Sequence, residues 1–259
     1  MAWTLRPSPP ENLGNNLRGY WLMDQNPPST TYVDQDLSGN HVLIRTNGAS
    51  PAVSLVGGPG WPGMAGSWRV WGSGSNLSGI RLSNLATRDP SANQSISLWL
   101  MEEETTVANH IFSSHHTAGA ANAVATQSNV GAWQGINAAA SWVTFGGLSN
   151  IGTNWRHLVY CRQGGTQWAY LDNVLSANMG AATAANQFFP RWLGAWLAMA
   201  TDVAPSTSNM RGRYCNVIMW DDVLNPTQVG RLFNEPLCML QGGEEPPPVG
   251  VTVNVAVMA

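Results

Sequence analysis

The sequence predicts an all-β sandwich built from two antiparallel sheets, and three observations support this fold class. Short runs of β-forming residues are separated by clusters of Gly, Ser, Asn and Asp throughout the body of the chain. Several runs alternate apolar and polar residues, which is the pattern of a strand with one face on a core. Helical periodicity is nearly absent, so alternating βα units are not expected.

The composition divides the chain into four zones: an N-terminal arm (1–14), one sandwich domain (15–236), a Pro-rich linker (237–248) and a C-terminal strand (249–259). A single domain of this size is reasonable, because β-sandwiches reach roughly 200–250 residues as one unit. The linker contains three consecutive prolines, which favour a stiff extended spacer.

Nine segments of the body are the clearest predicted strands: 18–23, 67–71, 80–82, 95–100, 142–145, 156–162, 167–171, 192–197 and 213–220. In segment 95–100, Ile96, Leu98 and Leu100 share the face that we expect to contact the core. Gly164-Gly165 and Asp172-Asn173 are predicted turns that end two of these strands.

One short helix is predicted near the end of the body. Asn225 is a suitable N-cap, Pro226 suits the first helical position, and apolar residues follow at Val229, Leu232 and Phe233.

The last eleven residues carry valine at every second position. This period of two predicts a strand with one apolar face, and the sequence offers it no obvious partner. Such a strand is stabilised by joining the sheet edge of another chain or a bundle of tails. The predicted interface residues are Trp3, Leu5, Val249, Val251, Val253, Val255 and Val257.

Charge and cysteine content exclude several functions. Only 10% of the residues are charged, the formal net charge is -3, and the twelve basic residues are arginines scattered along the sequence, so nucleic-acid binding is not expected. No secretory signal and no membrane span are predicted. With three cysteines, we expect reduced, buried thiols rather than a disulfide framework.

Five motifs in order resemble laminin-G-like, concanavalin A-like jelly-roll domains over most of the body: GYWLMD (19–24) with DLSGN (36–40), SISLWL (95–100), NWRHLV (154–159), YLDN (170–173) and VIMWDDVLNPTQV (217–229). The resemblance implies a jelly roll of two antiparallel sheets. Asn173 and Gln228 depart from the family, which often has Gly and an acidic residue at these positions.

The resemblance also implies a calcium ion at a rim loop, and calcium is the one cofactor considered. Asp34, Asp36 and Asn40 supply oxygen atoms, with Asp24 or Asp221 as further ligands from neighbouring strands. The alternative is an ordinary turn in which Asp accepts backbone N–H bonds.

No catalytic site is predicted. Glycosidases need carboxylates that flank one bond, whereas the dense acidic run Glu102-Glu103-Glu104 follows a strand and is expected to be a solvated turn. His110, His115 and His116 are expected in an exposed loop, and His157 as a half-buried strand residue rather than a metal ligand.

The 13 tryptophans have two uses. Trp21, Trp99, Trp155, Trp168 and Trp220 are expected to fill or flank the core. Trp61, Trp133 and Trp142 lie near Gly-rich turns, where an exposed ring stacks on a sugar or enters a partner; a structural role is the alternative for each.

The leading functional hypothesis is a non-enzymatic structural protein of a phage particle. It would be a capsid decoration or surface component, made in the host cytoplasm, that docks through its terminal extensions on copies of itself or a capsid protein. One alternative is a carbohydrate-binding or host-adhesion module whose partners are glycans. A polysaccharide-degrading enzyme is the third alternative, and neither nucleic acid nor membrane is an expected partner.

Overall fold

The computed structural model describes residues 3–23, 33–35, 37, 42–46, 54–57, 66–71, 79–83, 93–103, 109–113, 125–129, 132–136, 142–144, 154–181, 192–194 and 211–242. In chain order the strands are β1 Trp3–Leu5, β2 Leu17–Trp21, β3 Val33–Gln35, β4 Val42–Thr46, β5 Ser54–Gly57, β6 Gly66–Trp71, β7 Gly79–Ser83, β8 Gln94–Glu102, β9 Asn109–Ser113, β10 Ala125–Asn129, β11 Ala132–Ile136, β12 Trp142–Thr144, β13 Arg156–Gln163, β14 Thr166–Leu171, β15 Val174–Ala181, β16 Trp192–Leu193, β17 Arg211–Trp220 and β18 Leu240–Gly242. One α-helix, α1 Pro226–Asn234, precedes β18.

Sixteen of the described strands form two antiparallel sheets, as the sequence predicts for a jelly-roll sandwich, and β1 and β18 form a separate two-stranded sheet. Sheet I has the order β12-β11-β10-β9-β16-β7-β4-β3. Sheet II has the order β15-β14-β13-β8-β17-β6-β5, and β2 pairs with the second half of β17. All nine predicted strands are present, although the one expected at 192–197 is a strand only at Trp192–Leu193 among the described residues.

The first core lies between the two sheets. Sheet II contributes large side chains such as Trp68, Leu98 and Tyr214, and sheet I contributes Ile111 and Phe112. Phe112 meets Tyr160 of sheet II edge to face, with ring centroids 5.5 Å apart. Burial of each large apolar side chain contributes about 1.5–3 kcal/mol, so this layer is a main source of stability.

Gly194 shows how closely the two sheets approach. Its φ is +75°, a conformation that favours glycine. A Cβ at this position would lie 2.9 Å from Cγ1 of Val70 on sheet II. A side chain here would therefore separate the sheets, and the backbone bend ends β16.

A second core covers the outer face of sheet II. Trp99, on the face of β8 opposite to Leu98, is 1% exposed and stacks on Phe233 of α1 with ring centroids 5.8 Å apart. Ser95 and Ser97 are also buried on this face. Strand β8 is thus buried on both sides, because α1 and residues of segments 3–13 and 238–240 cover the face that alternation alone would leave exposed.

Residues of the predicted N-terminal arm pack on this second core. Strand β1 pairs with β18, and Trp3 and Leu5 are half-buried against the second core. Leu13 is fully buried, and its carbonyl oxygen accepts a hydrogen bond of 2.7 Å from the Trp220 indole. The described part of the arm, residues 3–14, therefore contributes to the packing of the same chain.

Helix α1 begins as the sequence predicts. The Asn225 side chain accepts the Gln228 backbone N–H at 3.0 Å, and the Gln228 side chain accepts the Asn225 N–H at 2.9 Å. This reciprocal capping box satisfies two N–H groups that the first turn leaves unpaired. Val229 and Leu232 then enter the second core.

The expected behaviour of the cysteines is confirmed: Cys161, Cys215 and Cys238 are buried and form no disulfide. In the part of the chain that the structure describes, no helix has the length and apolar character needed to span a membrane.

Candidate functional site

Four polar residues occupy one register line across four adjacent strands of sheet I. His110 on β9 pairs with Gln127 on β10, Gln127 pairs with Gln134 on β11, and Gln134 pairs with Thr144 on β12. Neighbouring strands lie about 4.8 Å apart, so this line, here called the polar row, is about 14 Å long. It is the candidate site.

The polar row lies on the side of β10–β12 that faces away from the first core. Phe112 belongs to that core and pairs with Thr126. Thr126 in turn pairs with Gly135, and Gly135 pairs with Val143, so these residues form the neighbouring register line. Successive residues of a strand alternate between faces, so Gln134 and Thr144 share the outer face. The observed exposure agrees, because Thr144 is exposed and Gln134 is half-buried.

A register shift in β9 places His110 in this line. The pairing changes between Thr126, which faces Phe112, and Gln127, which faces His110, so Ile111 is the extra residue. Ile111 and Phe112 are both buried in the first core. The expectation that His110 lies in an exposed loop is therefore wrong, because it belongs to strand β9; His115 and His116 lie outside the described residues.

The polar row includes a hydrogen bond within itself. The Gln134 Nε2 donates to the Thr144 Oγ1 at 3.4 Å in an exposed position. Amide and hydroxyl groups both donate and accept hydrogen bonds, so this pair can bind a ligand hydroxyl as donor or acceptor.

Two of the three tryptophans predicted for ligand binding lie on strands of this region. Trp142 pairs with Ile136 and lies two residues before Thr144. Trp133 pairs with Ser128. Trp61 lies outside the described residues, and the ligand-binding role of all three stays a prediction.

The polar row itself was not singled out by the sequence. Strands β10 and β11 are short and weakly apolar, and nothing local indicates which residues pair. An excess of Gln and Asn without charge near the two tryptophans is the one signal that the sequence contains.

The predicted calcium ligands are not brought together in the described residues. Asp34 lies in β3 opposite Leu43, whereas Asp36, Asn40 and Asp24 lie outside the described ranges. Asp221 forms an ion pair with Arg18 at 3.8 Å. The described part of the chain contains no group of three His, Cys, Asp or Glu residues suited to a metal ion, and calcium binding stays a prediction.

The acidic run is not a solvated turn in the described residues. Glu102 is fully buried in β8, and Glu103 contacts both the Arg69 Nε and the Arg213 Nε at 2.5 Å. Strand pairing sets Arg69 directly opposite Arg213, which brings together two arginines that are distant in sequence. This prediction was wrong because tertiary pairing supplied counter-charges; Glu104 lies outside the described residues.

A buried serine and histidine pair lies under helix α1. The Ser97 Oγ and the His157 Nε2 are 2.8 Å apart, and each residue is 1% exposed. Burial lowers the pKa of His157 to about 3, so its ring is neutral at pH 7. His157 is thus fully rather than half-buried, and its ring stacks on Trp99 with centroids 4.8 Å apart.

This pair lacks the geometry of a catalytic triad. Asp172 accepts the His157 backbone N–H at 3.0 Å, not a ring N–H, and its other oxygen contacts Arg156. The His157 Nδ1 has no hydrogen-bond partner among the described residues. A triad requires a carboxylate that orients the imidazole and a serine that a substrate can reach.

The predicted interface residues fall in two places. Trp3 and Leu5 pack against their own chain, as described above. Val249, Val251, Val253, Val255 and Val257 lie outside the described residues. At the β15 end of sheet II, Val174 and Leu175 are 65% and 58% exposed.

Comparison with known proteins supports the fold and no family assignment. No family model matches the chain, and no curated protein matches it. Among solved structures, domain 4 of AbnA, a GH43 extracellular arabinanase from Geobacillus stearothermophilus in complex with arabinotriose, shares 16% identity with a TM-score of 0.57 and covers 84% of this chain and 98% of its own.

Two further structures are parts of longer proteins. A mutant of Trypanosoma rangeli sialidase displaying trans-sialidase activity has a TM-score of 0.57 and 13% identity over 86% of this chain and 33% of its own. The second is a structure of botulinum neurotoxin type C, whose cell entry is described as dependent upon interaction with two ganglioside molecules. It has a TM-score of 0.56 and 13% identity, and the match covers 86% of this chain and 52% of the neurotoxin chain. The chain spans about a third of the sialidase, and these likenesses show the fold alone.

Proposed function

We propose that this chain is a glycan-binding module that holds carbohydrate without cleaving it. The observation that carries the proposal is the Gln134–Thr144 pair of the polar row, because it sets an amide and a hydroxyl group side by side on the outer face of two neighbouring strands. Sugar sites in proteins combine a few well-placed polar groups with apolar or aromatic surface. Trp142 lies two residues before Thr144 in the same strand.

The structural neighbours support this proposal at the level of the fold. The AbnA domain is described in complex with arabinotriose, and the neurotoxin with gangliosides. The AbnA domain matches over 98% of its own length, so its carbohydrate ligand is recorded on a domain of this architecture. We therefore favour the carbohydrate-binding alternative over the phage structural hypothesis. Membership of the laminin-G-like, concanavalin A-like domains remains part of this proposal.

Binding without cleavage is proposed from the state of the described carboxylates. Glycosidases need two carboxyl groups about 5–10 Å apart across the scissile bond. Here Glu103 is held between two arginines, and Asp172 is held by Arg156 and the His157 backbone. Strands β9–β12 contribute no carboxylate to the polar row.

A glycan array followed by titration calorimetry tests the proposal. We expect the wild-type protein to bind at least one glycan, and the double variant Gln134→Ala/Thr144→Ala to lose about tenfold or more in affinity, since hydrogen bonds to sugar hydroxyls disappear. Thr166→Ala is the matched control, because Thr166 is exposed and belongs to sheet II rather than to sheet I, which carries the polar row. An array without any hit, with the protein folded, refutes the proposal.

The second candidate is a structural component of a virus particle, located on the virion surface. The observation that favours it is β15, the last strand of sheet II among the described residues. It has no charged residue, and it exposes Val174 and Leu175. Natural edge strands usually carry charges or proline that prevent pairing, so an uncharged edge is suited to accept a strand from another copy.

Deleting residues 249–259 tests this second candidate. If the valine-alternating segment joins copies together, the deletion converts an oligomer to a monomer in light scattering while the circular dichroism spectrum of the body stays unchanged. A full-length protein that is already monomeric at the same concentration contradicts it.

A further inference from the structure

We infer that Trp168, Tyr170 and Leu175 form a second sugar-binding surface, here called the aromatic shelf, on which the ring of an uncharged sugar stacks. This inference rests on the proposed function and adds a site on the other sheet together with the chemical class of its ligand. Three observations carry it: the exposed apolar surface of the shelf, the fixed position of its indole ring, and its uncharged surroundings beside α1.

The three residues of the aromatic shelf share the outer face of sheet II. Trp168 and Tyr170 lie two residues apart in β14, and both pack with the second core rather than between the sheets. Leu175 of β15 pairs directly with Tyr170, so it belongs to the same face. The shelf thus covers two adjacent strands at the end of sheet II among the described residues.

The aromatic shelf presents apolar surface to solvent. Leu175 is 58% exposed, Trp168 is half-buried, and Tyr170 is buried between them and the second core. Leu175 and its neighbour Val174 are the exposed large apolar side chains of the described chain. Apolar surface of this kind next to an aromatic ring is typical of a contact site for a ligand.

Hydrogen bonding and packing fix the indole ring of the shelf. The Trp168 side chain donates a hydrogen bond to the Tyr170 hydroxyl. Cys161, which pairs with Trp168 on the neighbouring strand, is fully buried in the second core. A ring that is already held in place loses little conformational entropy when a sugar binds, and its flat apolar surface suits the C–H face of a sugar ring.

Helix α1 borders the shelf on the side of β13. A Cβ on Gly230 would lie 3.3 Å from the Asn173 Oδ1, so the helix reaches the turn between β14 and β15. At the start of the helix, the Leu224 N–H donates to the Ser95 Oγ, which lies 3.5 Å from the Cys161 Sγ. The shelf is therefore a ledge between α1 and β15.

The strands of the shelf are uncharged. Their sequences, TQWAYL and VLSANMGA, include no Asp, Glu, Lys or Arg. Asp172, in the turn between them, forms an ion pair with Arg156. A sugar carboxylate or sulfate would lose hydration on this surface without gaining a counter-charge, whereas an uncharged sugar would not.

Titration calorimetry with arabinotriose, cellotriose and maltotriose tests the inference. We expect the wild type to bind at least one of the three, Leu175→Ser to weaken that binding about threefold to fivefold, and Trp168→Ala to weaken it about tenfold or more. Val174→Ser is the matched control: Val174 is 65% exposed and adjacent in sequence, but it pairs with Leu171 of the first core and so belongs to the other face. It should bind as the wild type does.

Leu175→Ser keeps the test valid if Trp168→Ala fails to fold, because Leu175 is largely exposed. Thermal midpoints of all variants serve as the folding control. Light scattering of Leu175→Ser and the wild type shows whether the shelf instead covers a second copy of the chain.

The outcomes separate the inference from the proposed function. A wild type that binds none of the three trisaccharides, folded shelf variants that bind them as the wild type does, or an equal loss in Val174→Ser overturns the inference, while a hit on the glycan array leaves the proposed function standing. A smaller oligomer in Leu175→Ser with unchanged sugar binding also overturns it. If no glycan on the array binds, both fail.

Discussion

At the scale of single residues, buried polar side chains on the outer face of sheet II form hydrogen bonds and ring contacts that fix the segments packed against it. Ser95 shows this: its hydroxyl donates to the Asp222 carbonyl oxygen at 2.9 Å and accepts the Leu224 N–H at 3.0 Å. It thereby fixes the segment that leads into α1. Ser97 and His157 lie further along the same face, where the imidazole is desolvated and stacked on Trp99. His157, which together with Ser97 resembles a catalytic pair, is here a buried residue that packs on Trp99.

The first prediction concerns the pH dependence of stability. The pKa of His157 is lowered from 6.5 to about 3 by burial, so the unfolded state binds more protons than the native state between these values. Its contribution to stability is complete above about pH 6.5 and is lost as the pH falls toward 3. We expect the wild type to lose about 2 kcal/mol more between pH 7 and pH 5 than His157→Gln does.

Urea denaturation of both proteins at pH 7 and pH 5 measures this difference. The Asp172–Arg156 ion pair nearby is present in both proteins, so its titration cancels in the comparison. Parallel loss of stability in the two proteins would show that His157 does not titrate as described.

At the scale of elements, capping and strand alternation were predictable because they depend on neighbours in sequence. The capping box of α1 and the core face of β8 are of this kind. By contrast, β10 and β15 were not predicted, since their sequences, ATQSN and VLSANMGA, lack an apolar alternation. Pairing with β9 and β14 makes them strands, and that information is not local.

The second prediction concerns the start of α1. Asn225→Ala removes the side-chain acceptor for the Gln228 N–H and should lower the free energy of unfolding by about 1 kcal/mol. Thr227→Ala is the matched control, because Thr227 is exposed and lies in the same first turn. Chemical denaturation should find the control within about 0.5 kcal/mol of the wild type; an equal loss in both variants would argue against the cap as the cause.

At the scale of the whole molecule, two strands from opposite parts of the sequence, β1 and β18, complete the domain. Strand β1 pairs with β18, and the Arg6 Nε donates to the Leu240 carbonyl oxygen at 2.6 Å. The outer face of sheet II is therefore closed by segments that are distant in sequence. This closure accounts for how a sheet can carry apolar residues such as Trp99 and Trp220 on its outer side.

The third prediction uses this closure. The double variant Trp3→Ala/Leu5→Ala should lower the free energy of unfolding by about 2 kcal/mol, because two half-buried apolar side chains lose their contacts. Thr4→Ala, an exposed residue between them, should have little effect. If the double variant instead keeps full stability and changes only the oligomeric state in light scattering, the two residues serve an interface between copies.

The sequence by itself determined the all-β class, the main strands, the capped helix and the buried thiols. Each follows from composition or from residues that are near neighbours in the chain. Tertiary structure alone decided that sheet II is covered on both faces, that Glu103 lies between two arginines, and that His110, Gln127, Gln134 and Thr144 share one line. The physical reason is that register between separate strands depends on where each strand pairs, and a shift of one residue would move every side chain to the other face.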